Sequence, residues 1–272
     1  MTQPVMRYGA VLPGGSATAQ LEQAVLAEQA GWDGVFAFET GYGVDPWSLL
    51  AAIAMRTTRI RLGTMLTPLP WRRPWKLASQ VATVHQLSGG RAVLAVGIGA
   101  ADENLPATGE ITGVRERAEL LDEGIDLVKA LWAGQSSFRG QHYQFQGGQL
   151  DLAADAAPGQ AAIPLWVVGL WPRPKSMRRV LRCDGIIAQY SLDGREAGPQ
   201  DARAVRDWLT EHDVPPGFDM IADGETPAGD PAAAAEQAAG WAAAGCTWWL
   251  ETRWLGGPEE MTTRLAAGPP RG

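Results

Sequence analysis

The sequence predicts a closed (β/α)₈ barrel, and three features of the chain lead to that prediction. Eight short apolar runs rich in Val, Ile and Leu recur along the 272 residues, and such runs are typical of parallel strands covered on both faces. Most runs are separated by a segment with helical periodicity. The joints also repeat, since "EQAGWDGVF", "VLRCDGII" and "AAAGCTWW" each end a helix and enter a strand. Eight such units in about 250 residues favour a closed barrel over an open doubly wound sheet.

The expected elements alternate in chain order. Strands are expected at 8–12, 34–38, 60–66, 92–97, 165–169, 185–188, 218–222 and 246–251. Helices are expected at 17–31, 46–57, 74–88, 114–133, 173–182, 199–212 and 230–244. Two helix starts carry an N-cap aspartate followed by proline, at Asp45 and at Asp230. The strand-to-helix turn "GIGAAD" (97–102) lacks the third glycine of a dinucleotide-binding fingerprint, which also argues against the open sheet.

One long gap separates the fourth and fifth strands, from 98 to 164. Within it, "FRGQHYQFQGGQLDL" (138–152) alternates like a hairpin with a turn at Gly147 and Gly148. We therefore expect a β-hairpin insertion in a single barrel domain that covers residues 1–272.

Composition limits the kinds of function that the chain can have. The net charge of −7 argues against general affinity for nucleic acid or for an acidic membrane surface. No apolar run reaches the ~20 residues that span a bilayer, so we expect a cytoplasmic enzyme. The cysteines Cys183 and Cys246 are expected to be small buried residues. The three histidines are scattered, which leaves no metal cluster or His-based triad to assemble.

In a barrel of this kind the active site lies at the C-terminal ends of the strands. Glycine, tryptophan and uncharged polar residues predominate there, and these suit a large planar ligand better than a metal. In "VVGLWPRPKSMRR" (167–179) a strand ends at Gly169, turns, and opens a helix beside Arg173. Free N–H groups at a helix start with an arginine nearby favour a phosphate. The alternative is a glycine needed only for a tight turn and a solvated arginine.

The longest distinctive segment is "RIRLGTMLTPLPWRRPWKLASQVATVHQLSGGRAVLAVGIG" (59–99). Together with "AGWDGVFAFE" before it and "PLWVVGLWP" and "RCDGII" after it, this segment resembles the bacterial-luciferase-like family. That family includes FMN-dependent monooxygenases and oxidoreductases that use the deazaflavin coenzyme F420. The resemblance implies the same barrel, a homodimer, and a cofactor ring over the barrel top. It also implies a non-proline cis peptide bond between Met65 and Leu66.

The resemblance further implies a set of cofactor contacts. The ring would lie close to the end of the third strand, at Gly63, Thr64, Met65 and Leu66. Gly97 and Gly99 would let the backbone approach the cofactor. The phosphate would be held by Gly169, Leu170, Trp171 and Arg173. From the residues alone, Met65 reads equally well as plain core.

The chain departs from the family where protons are handled. Members that use the deazaflavin often have Asp-His at the end of the second strand and Glu after the fourth-strand glycines. This chain has Glu39 and Thr40 at the first place and Ala100 at the second. The usual proton-handling residues are therefore missing or replaced.

Glu39 is the first candidate to take over that role. It shares strand parity with Val35 and Ala37, small residues expected to face the barrel interior, while Phe36 and Phe38 would face the helices. A carboxylate so placed could have a raised pKa and act as general acid. A structural role, or a hydrogen bond to the cofactor, is the alternative.

The last strand, "CTWWLETRW" (246–254), supplies a second candidate. Trp249 and Glu251 fall on one face, and Trp254 follows in the loop. Other tryptophans also lie near strand ends, so an aromatic-walled substrate pocket is expected from Trp47, Trp71, Trp249 and Trp254, with core packing as the alternative for each. Asp223 and Glu225 would lie on the same rim, where loop carboxylates are usually just solvated.

Several functions fit these observations. The first is transfer of a hydride between a reduced deazaflavin (coenzyme F420) or flavin and a small organic substrate. F420 is favoured over FMN because the third-strand segment resembles actinobacterial members. An FMN-dependent luciferase-like monooxygenase is the alternative within the family. From other classes, the sequence leaves open a barrel that binds the cofactor without catalysis and a barrel hydrolase that uses Glu39 and Glu251.

Overall fold

The computed structural model describes residues 5–40, 43–100, 108–148, 162–192, 194–227, 229–254 and 256–271. Within these residues eight parallel strands close into a barrel, as the sequence predicts. In chain order the strands are β1 (Arg7–Leu12), β2 (Gly34–Ala37), β3 (Arg61–Thr64) with its short continuation β4 (Thr67–Pro68), β5 (Ala92–Gly97), the separate pair β6 (Ser137–Arg139) and β7 (Gln144–Gln146), and then β8 (Leu165–Trp171), β9 (Gly185–Tyr190), β10 (Asp219–Gly224) and β11 (Trp248–Glu251). Pairing of β3 with β5 closes the barrel.

Helices cover the outside of the barrel. They are α1 (Ala17–Gln29), α2 (Pro46–Arg56), α3 (Pro74–Leu87), α4 (Val114–Trp132), α5 (Pro174–Val180), α6 (Pro199–Glu211), α7 (Pro231–Ala243) and α8 (Pro258–Ala266). Both predicted N-caps are confirmed, because Asp45 accepts from the amide of Ser48 and Asp230 accepts from the amide of Ala233. The sequence analysis missed α8, which is only nine residues long. No helix in the described part of the chain is long and apolar enough to cross a membrane.

The third strand is shorter than predicted. It ends at Thr64, and the cis peptide bond between Met65 and Leu66 that the resemblance implied is present. The chain then pairs with β5 through β4 and makes a 3₁₀ turn at Leu69–Trp71 before α3 begins. The connection between β3 and α3 is thus a continuation of the sheet followed by a turn.

The antiparallel pair of β6 and β7 differs from the predicted hairpin. Its register joins Phe138 to Phe145, so the turn lies at 140–143. The predicted turn at Gly147 and Gly148 is wrong, because the amide of Gly147 donates to Ser136 at the open end of the pair. Residues 149–152 of the predicted hairpin lie outside the described residues.

Three aromatic rings fill the middle of the barrel. Phe36 and Trp166 stack with ring centroids 5.5 Å apart, and Trp248 meets both rings edge-on. The predicted orientation of β2 is therefore wrong, since Phe36 faces the interior and the small Val35 and Ala37 face the helices. Glycine makes room for the ring: a Cβ at Gly63 would lie 2.9 Å from Phe36.

Candidate active site

A cavity of about 740 Å³ opens at the C-terminal ends of the barrel strands. Its size falls within the range of about 300–1,000 Å³ that is common for small-molecule sites. Nine of the residues assigned from the sequence to catalysis, the cofactor or the substrate pocket line it: Glu39, Met65, Leu66, Trp71, Gly97, Gly99, Leu170, Arg173 and Trp254. The structure therefore gathers residues from the ends of five strands around one space.

Four aliphatic side chains from the ends of β3 and β8 form an apolar part of the cavity wall: Met65, Leu66, Val168 and Leu170. Met65 itself packs with the barrel interior and is almost fully buried. The two roles left open for Met65 are thus combined in one side chain, which belongs to the core and lines the cavity.

Other predicted site residues do not line the cavity: Trp47, Gly63, Thr64, Gly169, Trp171, Trp249 and Glu251. Gly169 has a packing reason, because a Cβ there would lie 2.6 Å from Ile186 and 2.8 Å from Val180. Even Gly97, which does line the cavity, is needed for packing, since a Cβ would come within 2.9 Å of Leu66. The small residue at these strand ends thus lets neighbouring side chains approach closely.

Trp47 and Thr64 belong to one buried chain of hydrogen bonds. Trp47 Nε1 donates to Thr67 Oγ1 at 3.2 Å, Thr67 Oγ1 donates to Thr64 Oγ1 at 3.0 Å, and Thr64 donates to the carbonyl of Ala95. This chain ties α2 to the end of β3 and to β5. Trp47 is thereby a structural tryptophan, contrary to its assignment to the substrate pocket.

Trp249 and Trp171 pack against the outer helices. The ring of Trp249 lies 6.1 Å from that of Trp241 on α7, and the ring of Trp171 lies 6.2 Å from that of Trp208 on α6. Trp249 is 1% exposed. The face of β11 that was predicted to line the pocket therefore packs against the helices.

Glu251 shares that outward face and is fully enclosed there. Its carboxylate accepts from the amide and hydroxyl of Thr226 and pairs with Arg253 at 3.1 Å and Arg264 at 3.5 Å. A carboxylate with two cations and two hydrogen bonds satisfies its charge within the protein. The structure gives Glu251 a structural position, away from the cavity to which the sequence analysis assigned it.

Glu39 faces the cavity beside a cation that the sequence analysis did not pair with it. Arg72 donates from Nε to Glu39 Oε1 at 2.6 Å and from Nη2 to Asp45 Oδ2 at 3.0 Å. The second oxygen, Oε2, is buried and accepts no hydrogen bond from the described residues. Burial raises the pKa of Glu39 above its usual value, and Arg72 only partly offsets the rise. Glu39 is thus a buried carboxyl with a raised pKa, and its Oε2 has no hydrogen-bond partner among the described residues.

In the phosphate loop predicted at 167–179, positions 172–174 offer no amide to a phosphate. Pro172 and Pro174 have no N–H, and the amide of Arg173 donates to Leu170. Arg173 and Lys175 line the cavity, and neither forms an ion pair with a described residue. Arg179 also lines it but is held by both carboxylate oxygens of Asp122. The cavity is therefore lined here by two cations, Arg173 and Lys175, that form no ion pair with a described residue.

Aromatic side chains also line the cavity. Phe38 and Trp254 meet edge-on with centroids 5.3 Å apart, and they are 43% and 48% exposed. Trp71 lines the same cavity, and its Nε1 is buried without a partner in the described part of the chain. The predicted aromatic wall is thus formed by Trp71 and Trp254, with Phe38 as a member that the sequence analysis missed.

Asp223 was expected on this rim, but only as a solvated loop carboxylate. The structure places it on the cavity wall, and burial raises its pKa to about 6. No described group donates a hydrogen bond to its carboxylate. A usable signal was its parity with Ile221, an interior residue two positions earlier on β10.

Comparisons with known proteins agree with this geometry. Residues 3–266 match the family model described as luciferase-like monooxygenase. The chain belongs to the luciferase-like monooxygenase family. An F420-dependent glucose-6-phosphate dehydrogenase from Amycolatopsis mediterranei is 36% identical over 135 residues, which are 46% of this chain and 40% of the relative. The chain thus matches less than half the length of that relative.

Solved structures share the fold of this luciferase-like chain. An F420-dependent secondary alcohol dehydrogenase in complex with an F420-acetone adduct aligns with a TM-score of 0.75 at 17% identity, over 96% of this chain and 97% of the other. The oxygenating constituent of 3,6-diketocamphane monooxygenase from Pseudomonas putida, in complex with FMN, aligns with a TM-score of 0.63 at 20% identity, over 82% and 67%. At these identities the likeness concerns the fold.

Proposed function

We propose that this luciferase-like protein is an oxidoreductase that transfers a hydride between coenzyme F420, or a flavin, and a small uncharged organic substrate. The observation that carries the proposal is the cavity at the barrel top, whose lining combines an apolar wall with the cations Arg173 and Lys175 and with aromatic side chains. Relatives named as F420-dependent dehydrogenases favour F420 over FMN.

The cavity residues suit both parts of such a cofactor. Met65, Leu66 and Val168 offer an apolar surface for a ring system, and the free Oε2 of Glu39 is a polar atom with capacity for one more partner. Arg173 and Lys175 would hold the phosphate by charge-assisted hydrogen bonds. When bound, the cofactor supplies the hydride chemistry, while the protein supplies position, exclusion of water and a proton.

The charge inventory supports an uncharged substrate. The segments outside the described residues contain no Lys or Arg, so every Lys and Arg of the protein lies in the described part of the chain. Three of them line the cavity, and Arg179 is already paired with Asp122. With Arg173 and Lys175 on the cofactor phosphate, no free cation remains for a phosphorylated substrate. We therefore propose an alcohol or carbonyl compound that packs against Phe38, Trp71 and Trp254.

The test is a fluorescence titration of the purified protein with F420 and with FMN, followed by turnover assays. We expect F420 to bind at micromolar concentration, and a simple secondary alcohol to reduce it faster than glucose 6-phosphate does. Binding of neither cofactor would contradict the proposal, and efficient oxidation of glucose 6-phosphate would contradict the proposed substrate class.

An FMN-dependent monooxygenase is the second candidate, favoured by the fold neighbour that binds FMN. Tighter binding of FMN than of F420 in the same titration would select it. The hydrolase alternative loses its basis, because Glu39 and Glu251 do not share a cavity. We also propose a cytoplasmic homodimer, as the resemblance implies, and light scattering of the purified protein tests its oligomeric state.

A further inference from the structure

Asp223 stands at the C-terminal end of β10, on the face that looks into the barrel. Two positions earlier, Ile221 packs among the aromatic rings of the interior, and in the neighbouring strand Asp223 is in register with Leu250, another interior residue. The side chain therefore points upward from the hydrophobic interior into the cavity, where it is partly buried.

The carboxylate of Asp223 has no partner. Among the described residues no group donates a hydrogen bond to it and no cation pairs with it, whereas Glu39 and Glu251 are each held by arginine. A partly buried carboxylate that faces a cavity without a protein partner does not stabilise the fold, because nothing in the described part of the chain compensates the partial desolvation of its charged form. The position is thus better explained by a ligand than by packing.

Burial, and not a neighbouring charge, sets the pKa of Asp223. On β9, Tyr190 is the titratable neighbour, and Asp223 is one cause of its raised pKa. On the β11 side, Glu251 and Arg253 are paired with each other outside the cavity. Also on the cavity wall, Glu39 is held by Arg72. Desolvation therefore dominates and raises the pKa of Asp223 to about 6, in the range where a side chain can both give and take a proton.

We propose that Asp223 is the catalytic acid and base that exchanges a proton with the oxygen of the substrate. In the direction of reduction, the carbonyl carbon gains a hydride from the reduced deazaflavin, which is oxidised. The C=O π bond breaks, and the oxygen takes the proton of the Asp223 carboxyl, which leaves a carboxylate. In the direction of oxidation the carboxylate takes the hydroxyl proton. This inference rests on the proposed oxidoreductase function.

A first test uses the protein without cofactor. Wild type, Asp223→Asn and the control Asp207→Asn, which removes an exposed carboxylate on α6, are melted across pH. The native wild type keeps the Asp223 proton up to about pH 6, while the unfolded chain releases it near about pH 4. As pH rises from about 4 to about 6, the wild type should therefore lose stability that Asp223→Asn does not lose. The melting temperature of Asp223→Asn minus that of wild type should increase over this range. The increase should be larger for Asp223→Asn than for the control Asp207→Asn. If the melting-temperature differences of the two variants change with pH to the same extent, the proposal is overturned.

A second test uses the protein loaded with F420. Asp223→Asn should bind F420 as wild type does but lose kcat by about 10²- to 10⁴-fold, and Asp223→Glu should recover part of the loss. Wild-type reduction should slow above the pKa of Asp223, and oxidation should slow below it. If F420 binds and turnover persists within twofold in Asp223→Asn with an unchanged pH profile, the role of Asp223 fails while the proposed function stands. If neither cofactor binds, both fail.

Discussion

Asp223 and Glu251 are carboxylates at the ends of adjacent strands, yet their surroundings are opposite. Register aligns Gly224 with Glu251, so the two acids lie at nearly the same height in the barrel. Asp223 faces the cavity without a partner, while Glu251 is 0% exposed and enclosed by Arg253, Arg264 and Thr226. The face on which a strand-end carboxylate lies therefore decides whether it opens to the cavity or is enclosed by the fold.

The largest effect on stability should come from Glu251. Glu251→Ala leaves Arg253 and Arg264 buried without their shared carboxylate, and loss of one partner from a buried pair costs about 3–5 kcal/mol. Thermal denaturation should show a melting temperature lower by on the order of 10 °C.

The matched control is Glu225→Ala, which removes the half-exposed carboxylate that pairs with the same Arg253. That variant should lose at most about 1 kcal/mol. Equal losses in the two variants would show that enclosure of Glu251 does not matter.

The sequence could predict the barrel and its strands, and the family resemblance implied the cis bond, but neither showed which face each strand turns inward. On β2 the large Phe36 fills the interior because a glycine such as Gly63 leaves space for it, and that depends on neighbouring strands. The same error of parity placed Glu251 and Trp249 on the pocket. The ion pair of Arg72 with Glu39 could not be predicted either, because it joins residues 33 positions apart in the chain.

The next prediction concerns the two cations of the cavity, Arg173 and Lys175. Arg173→Ala with Lys175→Ala should weaken F420 binding by about 100-fold or more, since each charge-assisted hydrogen bond contributes about 1.5–3 kcal/mol. Fluorescence titration measures the change. Arg178→Ala on the same helix is the control, because Arg178 is exposed and does not line the cavity. If the double variant and the control bind F420 with equal affinity, Arg173 and Lys175 do not hold the phosphate.

A smaller effect should follow loss of the cation beside Glu39. Arg72→Met leaves the Glu39 carboxyl partly buried without its ion pair and should cost about 1–3 kcal/mol at neutral pH. Glu39 already has a raised pKa, so its protonated form predominates at low pH and needs no cation. The loss measured by denaturant unfolding should therefore shrink as pH falls to about 4. A loss that is independent of pH would mean that the ion pair with Glu39 is not the source of the loss, which would then come from the pair with Asp45 or from packing.

The most direct measurement is an experimental structure of the protein with F420 bound. The account predicts that the ring lies against Leu66 and Val168, that the phosphate contacts Arg173 and Lys175, and that an open space beside the ring adjoins the Asp223 carboxylate. A cofactor bound elsewhere, or a ring that leaves Asp223 out of reach of any substrate, would contradict it.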